Sequence, residues 1–147
     1  MLGKQISILC RQLNLFLNRE LTDISISATE LLYLGSLYMK DGLAQEELAR
    51  EHAVDKAAVA RTLRLMEKKG LILRQTAAGD KRSKEIYLTA KAKAAEQRLR
   101  AVQTQWIHAI TEGLDHGTMA AFTGCIDAMV KRAVRLNNYE NKREGLE

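Results

Sequence analysis

Apolar residues recur at helical spacing along nearly the whole of this chain, and the pattern breaks once, between Leu71 and Leu88. Ahead of the break lie Ile6, Leu9, Leu13, Phe16 and Leu17, then Leu31, Leu34, Leu37 and Tyr38, then Val59, Leu63 and Met66. Behind it run Ala95, Leu99, Val102, Trp106 and Ile110, followed by Met119, Phe122, Ile126, Met129, Ala133 and Leu136. Steps of three and four place each set on one face of a helix. Inside the break, Leu71-Ile72-Leu73-Arg74-Gln75 and Lys84-Glu85-Ile86-Tyr87-Leu88 are rich in strand formers, with Gly79-Asp80 as a turn between them. The pattern predicts a mainly α (α+β) fold with one hairpin set into it. At 147 residues the chain suits a single domain, and no proline interrupts any helix.

The ends of the elements are also legible. Ser27-Ala28-Thr29-Glu30 has the pattern of a capping box opening the second helix, and Asp41-Gly42 marks its stop. A short helix over 45–51 follows, and His52-Ala53-Val54 separates it from Asp55, an N-cap for a helix that ends at Gly70. Two helices joined by so few residues must cross steeply, which is helix-turn-helix geometry, here without the usual turn glycine. The hairpin after it is a wing. Thr89 caps a long helix ending near Gly113, and a last helix spans about 116–138. The seams of the first helix and the last two need cover. An intrachain antiparallel pair would supply it, as would a homodimer with interleaved terminal helices, and helices of this length at the chain ends favour the dimer. Residues 1–26 and 90–138 are then a helical dimerisation region, 27–89 a winged helix-turn-helix, and 139–147 a frayed tail.

Charge sharpens this division. The net charge is +5, and residues 55–89 alone hold nine Lys/Arg against four Asp/Glu, which accounts for the whole excess. A polyanion-facing surface over the second helix of the motif and the wing is the direct implication. Other classes fall away. No apolar run approaches the ~18 residues of a membrane span. No signal-peptide pattern accompanies Lys4 and Arg11. The two cysteines, Cys10 and Cys125, are too few for a disulfide scaffold, so a cytoplasmic setting is expected. No G-x-S-x-G, P-loop or metal-ligand spacing is present, and His52, His108 and His116 share no helix face, so neither an enzyme nor a metal or cofactor site is expected.

Several motifs together resemble the MarR family of bacterial transcriptional regulators. They are Leu48-Ala49, Val54-Asp55-Lys56, Met66-Glu67-Lys68-Lys69-Gly70-Leu71-Ile72, Asp80-Lys81-Arg82 and Leu88-Thr89-Ala90-Lys91. The resemblance covers nearly the whole chain. It implies a homodimer on a pseudo-palindromic double-stranded operator, usually a repressor, and often a small lipophilic or phenolic ligand or an oxidant that releases the DNA. The sequence singles out no effector-pocket residues, since Trp106 and Phe122 fit helix cores.

The DNA-facing candidates follow. In the second helix of the motif they are Lys56, Ala57, Ala58, Arg61, Thr62 and Arg64, with Lys56 and Arg61 able to reach guanine or phosphate. Ala57 and Ala58 stand where the family pattern commonly has hydroxyls, leaving apolar contact such as thymine methyls. In the wing, Asp80 can brace Arg82, the arginine that the resemblance sends into the minor groove. Lys81, Lys84 and Arg74 are expected on phosphates. Cys10 lies in the helix that carries the reactive cysteine of the family's hydroperoxide-sensing branch, although Asn14 rather than tyrosine sits one turn on, so redox sensing is an alternative reading. A winged-helix module that docks on protein is another, and the placement of the positive charge argues against it.

Overall fold

The computed structural model describes the backbone of residues 1–144 and the side chains of residues 1–79 and 82–137. The element order is α1 (Leu2–Glu20), α2 (Ala28–Met39), β1 (Leu43–Ala44), α3 (Gln45–Glu51), α4 (Lys56–Lys68), β2 (Ile72–Ala77), β3 (Asp80–Leu88), α5 (Ala90–Ile110) and α6 (His116–Glu144). They divide into two compact units, Met1–Trp106 and the segment from Ile107 onward.

The first unit is built around apolar faces that the helical spacing creates. Leu17 from α1, Leu31, Leu34 and Leu37 from α2, Leu48 from α3, Val59, Leu63 and Met66 from α4, and Leu99 from α5 are all buried. Ile72 and Ile86 close the core from the sheet. Each such side chain contributes about 1.5–3 kcal/mol by leaving water, and together they fix which face of α4 points inward.

At the start of α2 the capping box forms: the Glu30 N–H donates to Ser27 Oγ at 3.2 Å, and the Ser27 N–H donates to Glu30 Oε2 at 2.7 Å. The Glu30 carboxylate is also buried, at 2% exposure, and Lys69 Nζ donates to both of its oxygens at 2.8 Å. A cap thus becomes a joint between the beginning of α2 and the end of α4. The start of α5 holds the same end of α4. Lys91 Nζ donates to the Lys69 carbonyl and the Thr89 hydroxyl to that of Gly70, both at 2.7 Å. On its other side α5 receives the Tyr38 hydroxyl at the Ala92 carbonyl, 2.6 Å away.

The turn between α3 and α4 solves the missing glycine directly. Ala53 itself takes the left-handed conformation, at φ +51. Beside it the His52 ring lies 5.0 Å from that of Tyr33. Ser36 donates its single hydroxyl hydrogen to Glu51 Oε1 at 2.6 Å, so Ser36 Oγ is left to accept from His52 Nε2–H at 2.9 Å.

The two-stranded wing read from sequence forms from β2 and β3, and a third short strand joins its sheet. The sheet has three antiparallel strands in the order β1-β3-β2, because Leu43 and Ala44 pair with Ile86 and Glu85. A strand of two residues is too short to show alternation, so β1 left no periodic signal. β2 and β3 pair from Ile72↔Leu88 to Thr76↔Lys84, with an irregularity before Ala77↔Asp80, and Gly79 turns at φ +88. The strands therefore run past the predicted stretches almost to the glycine.

The wing is rooted at the end of α2. Gly42, at φ +79, leaves no room for a side chain, since a Cβ would sit 2.9 Å from Tyr87 Cε1. Asp41 Oδ1 accepts the Leu88 N–H at 2.8 Å and Oδ2 lies 3.0 Å from Lys93 Nζ.

The second unit contains the end of α5, a turn at Gly113 (φ +81) and α6. Asp115 caps α6, accepting the Thr118 N–H at 3.0 Å and its hydroxyl at 2.7 Å. These bonds hold the Asp115 carboxyl below the usual carboxylate range. The helix runs on to Glu144, beyond the expected end near Asn138. Of the tail expected to fray, 145–147 lie outside the described residues. Phe122, Ile126, Val130 and Leu136 of α6 are exposed.

Two measurements check this account. Ala53→Gly should relieve the left-handed alanine and raise stability by about 0.5–1 kcal/mol, a Tm increase of about 2–4 °C; a lower Tm would count against strain at this turn. At Asp41, burial pushes the carboxyl up, but the Leu88 N–H and the Lys93 ammonium outweigh it and hold it below its ordinary value. A depressed folded value means that Asp41 stabilises fully above the unfolded value of ~3.9 and loses this contribution as pH falls through the folded one. Asp41→Asn should therefore destabilise the protein in urea at neutral pH, and the gap from the parent chain should close in strong acid. A gap independent of pH would refute the charge argument.

Candidate nucleic-acid interface

Burial of Val59, Leu63 and Met66 at i, i+4 and i+7 leaves the opposite side of α4 to solvent. Ala57, Arg61, Arg64, Leu65 and Lys68 occupy that side, within an arc of about 100° on an ideal helix. Asp55 caps the helix by accepting the Ala58 N–H at 2.8 Å, and Lys56 stands exposed in the first turn. The exposed face therefore begins with small side chains and continues with three long cations. Such a surface can approach a polyanion closely at one end and neutralise it along its length.

Not every residue singled out from sequence lies on this face. Ala58 and Thr62 are half-buried at its edge, and the Thr62 hydroxyl donates to the Ala58 carbonyl at 3.2 Å. Arg74, expected on phosphate, pairs here with a carboxylate. Its Nε and Nη2 donate to Glu67 Oε2 at 3.0 and 2.6 Å, and its side chain is 25% exposed. Its charge is thus balanced by a carboxylate of α4, and the pair ties β2 to that helix. Spacing could not have shown this, because an arginine in a strand reads the same whether it faces solvent or a neighbouring helix.

In the wing, Arg82 and Lys84 are exposed, and Lys84 Nζ donates to Thr76 Oγ1 across the hairpin at 2.8 Å. The Asp80 and Lys81 side chains, and with them the expected Asp80–Arg82 brace, lie outside the described side chains. Two residues of the exposed α4 face were not among the sequence candidates: Lys68 and Leu65, the latter 54% exposed. Each stands four residues beyond a candidate, Arg64 and Arg61, and that spacing was the available signal.

Cys10 and Cys125 are both exposed. Asn14, one turn beyond Cys10, donates its amide to the Cys10 carbonyl at 2.8 Å rather than to the sulfur. Phe16 and Trp106 stack at a tilt with centroids 5.3 Å apart, and both are half-buried. Among the described residues no group of three or more His, Cys, Asp or Glu is placed to hold a metal ion, and no helix is long and apolar enough to cross a membrane.

Comparison with known proteins gives this geometry a lineage. The MarR family model matches residues 26–84, which take in α2, the helix-turn-helix and most of the wing. The uncharacterized HTH-type transcriptional regulator YybA of Bacillus subtilis (strain 168) is 29% identical over 121 residues, covering 82% of this chain and 73% of that protein. The crystal structure of the transcriptional regulator SlyA superposes with a TM-score of 0.85 at 25% identity, covering 91% of this chain and 94% of that one. A cysteine-to-serine mutant of MarR from E. coli, complexed with operator DNA, shares the fold with a TM-score of 0.76 at 23% identity, over 87% of this chain and 92% of that one. Residues 26–84, which carry the helix-turn-helix and most of the wing, thus match the MarR family model, and the chain shares the winged helix-turn-helix fold of the transcriptional regulators it resembles.

Proposed function

We propose that this regulator binds a pseudo-palindromic double-stranded operator as a homodimer, represses transcription from it, and is released by a small lipophilic or phenolic ligand in the cytoplasm. One observation carries the DNA reading: the stretch that holds the chain's entire +5 excess folds into α4 and the wing, where Lys56, Arg61, Arg64, Arg82 and Lys84 are all exposed. In this reading α4 lies in the major groove, with Ala57 and Ala58 near base edges and Arg61 on a guanine, a bidentate contact worth about 1–3 kcal/mol of discrimination. Arg82 enters the minor groove, Lys81 and Lys84 meet phosphates, and Asp80 directs Arg82. Arg74 acts through Glu67, positioning the wing against α4. The operator-bound relative supports the general mode, while repression and ligand release are what the resemblance to the MarR family implies.

The dimer is favoured by apolar side chains left open at both chain ends: Leu2, Ile6 and Leu9 on α1, and Phe122, Ile126 and Val130 on α6. A second copy is the partner that would cover like faces with like. Sedimentation equilibrium should return twice the chain mass of 16.5 kDa. A stable monomer at micromolar concentration would overturn this part of the proposal.

Salt titrations of duplex binding separate the proposed roles. Log affinity should fall linearly with log salt, with a slope of about 0.9 for each phosphate neutralised. Lys84→Ala should lower that slope by about one, whereas Arg74→Ala should weaken binding with the slope unchanged. Arg82→Ala should weaken operator binding at least tenfold, an order-of-magnitude expectation for a lost groove contact, at an unchanged Tm. A flat titration, or parental affinity in Arg82→Ala, would remove the basis of the reading.

A further inference from the structure

The exposed face of α4 carries, besides the small Ala57, one large side chain that phosphate binding does not explain. Leu65 is 54% exposed, with Arg61 and Arg64 preceding it and Lys68 following it on the same side of the helix. An aliphatic side chain there neither pairs with a phosphate nor adds to the positive potential. It also does not belong to the core, since the buried face of α4 is formed by Val59, Leu63 and Met66. In free solution it exposes apolar surface beside Arg61, Arg64 and Lys68.

We infer that Leu65 is a specificity-determining residue that reads a thymine C5-methyl group in the major groove. The inference rests on the proposal that α4 enters that groove. The argument for this occupant is charge complementarity. Arg61, Arg64 and Lys68 select a polyanion for this face, and the apolar feature that a DNA major groove offers is the thymine methyl. Burying a methyl against leucine is favourable in a way that no phosphate or cytosine edge reproduces. Position makes the contact specific. Leu65 lies one turn beyond Arg61, about 6 Å along the helix axis. Base pairs stack at about 3.4 Å, so its thymine falls about two base pairs from the guanine that Arg61 contacts. Ala57, at the other end of the face, is too short to compete for the same methyl.

The test begins by selecting tight-binding duplexes from a random library with the full-length parent protein. Each thymine of the selected site is then replaced singly by deoxyuridine, which removes only the C5-methyl. For the parent, one replacement should weaken binding about three- to fivefold, the equivalent of one buried CH2-sized group. Leu65→Ala should bind the thymine and deoxyuridine sites equally at that position and keep the parental salt slope and Tm. Arg61→Ala should still distinguish them. If no replacement affects the parent, or if Leu65→Ala still prefers thymine there, the inference is overturned while the DNA reading stands. If the parent binds no duplex at any salt concentration, the DNA reading itself fails, and the inference with it.

Discussion

The buried carboxylate of Glu30 is the point on which the first unit is assembled. It accepts from the Ser27 N–H and from Lys69 Nζ, which also donates to the Ser25 carbonyl. A carboxylate at 2% exposure is tolerable only because each oxygen is engaged. Removing one partner of a buried pair costs about 3–5 kcal/mol; here Lys69 is about one-third exposed, which moderates the figure. The consequence is directional. The end of α4 cannot drift from the start of α2, and the start of α5 grips the Lys69 and Gly70 carbonyls through Lys91 and Thr89.

That arrangement makes α4 a helix held from several sides and left open on one. Val59, Leu63 and Met66 anchor it below, Glu67 takes Arg74 from β2, and Lys69 is fixed at its end. The wing is separately rooted by Asp41 and by the close fit of Tyr87 over Gly42. On the proposed reading α4 would enter a groove, and a scaffold of short hydrogen bonds presents its exposed face already placed. The basic residues then need little structural support of their own, because their backbone is already placed.

Much of this was legible because it is local. The Ser27–Glu30 box, the glycines at 42, 70, 79 and 113, and the Asp55 and Thr89 caps each depend on neighbours within a few residues, where chain geometry dictates the outcome. The exposed face of α4 was legible for the same reason, through its 3.6-residue period. Three features were not. Ala53 took the left-handed turn that glycine usually takes, because packing of α3 against α4 outweighs a strain of about 1–2 kcal/mol. β1 exists only because β3 offers it an edge. Arg74 turned toward Glu67 because α4 and β2 leave Gly70 at an angle that brings the two side chains together.

By itself, then, the sequence determined where helices begin and end, where the hairpin lies, and that all the surplus charge would gather on one stretch. Those outcomes depend on local sterics, caps and periodicity. Tertiary structure alone decided which charges remain on the surface and which are neutralised. Lys69 and Arg74 belong to the same basic stretch as Arg61 and Arg64, yet the first pair is held by Glu30 and Glu67 while the second faces outward. Charge can be counted along a chain, but whether a cation meets a carboxylate depends on through-space separation, and only folding sets that distance.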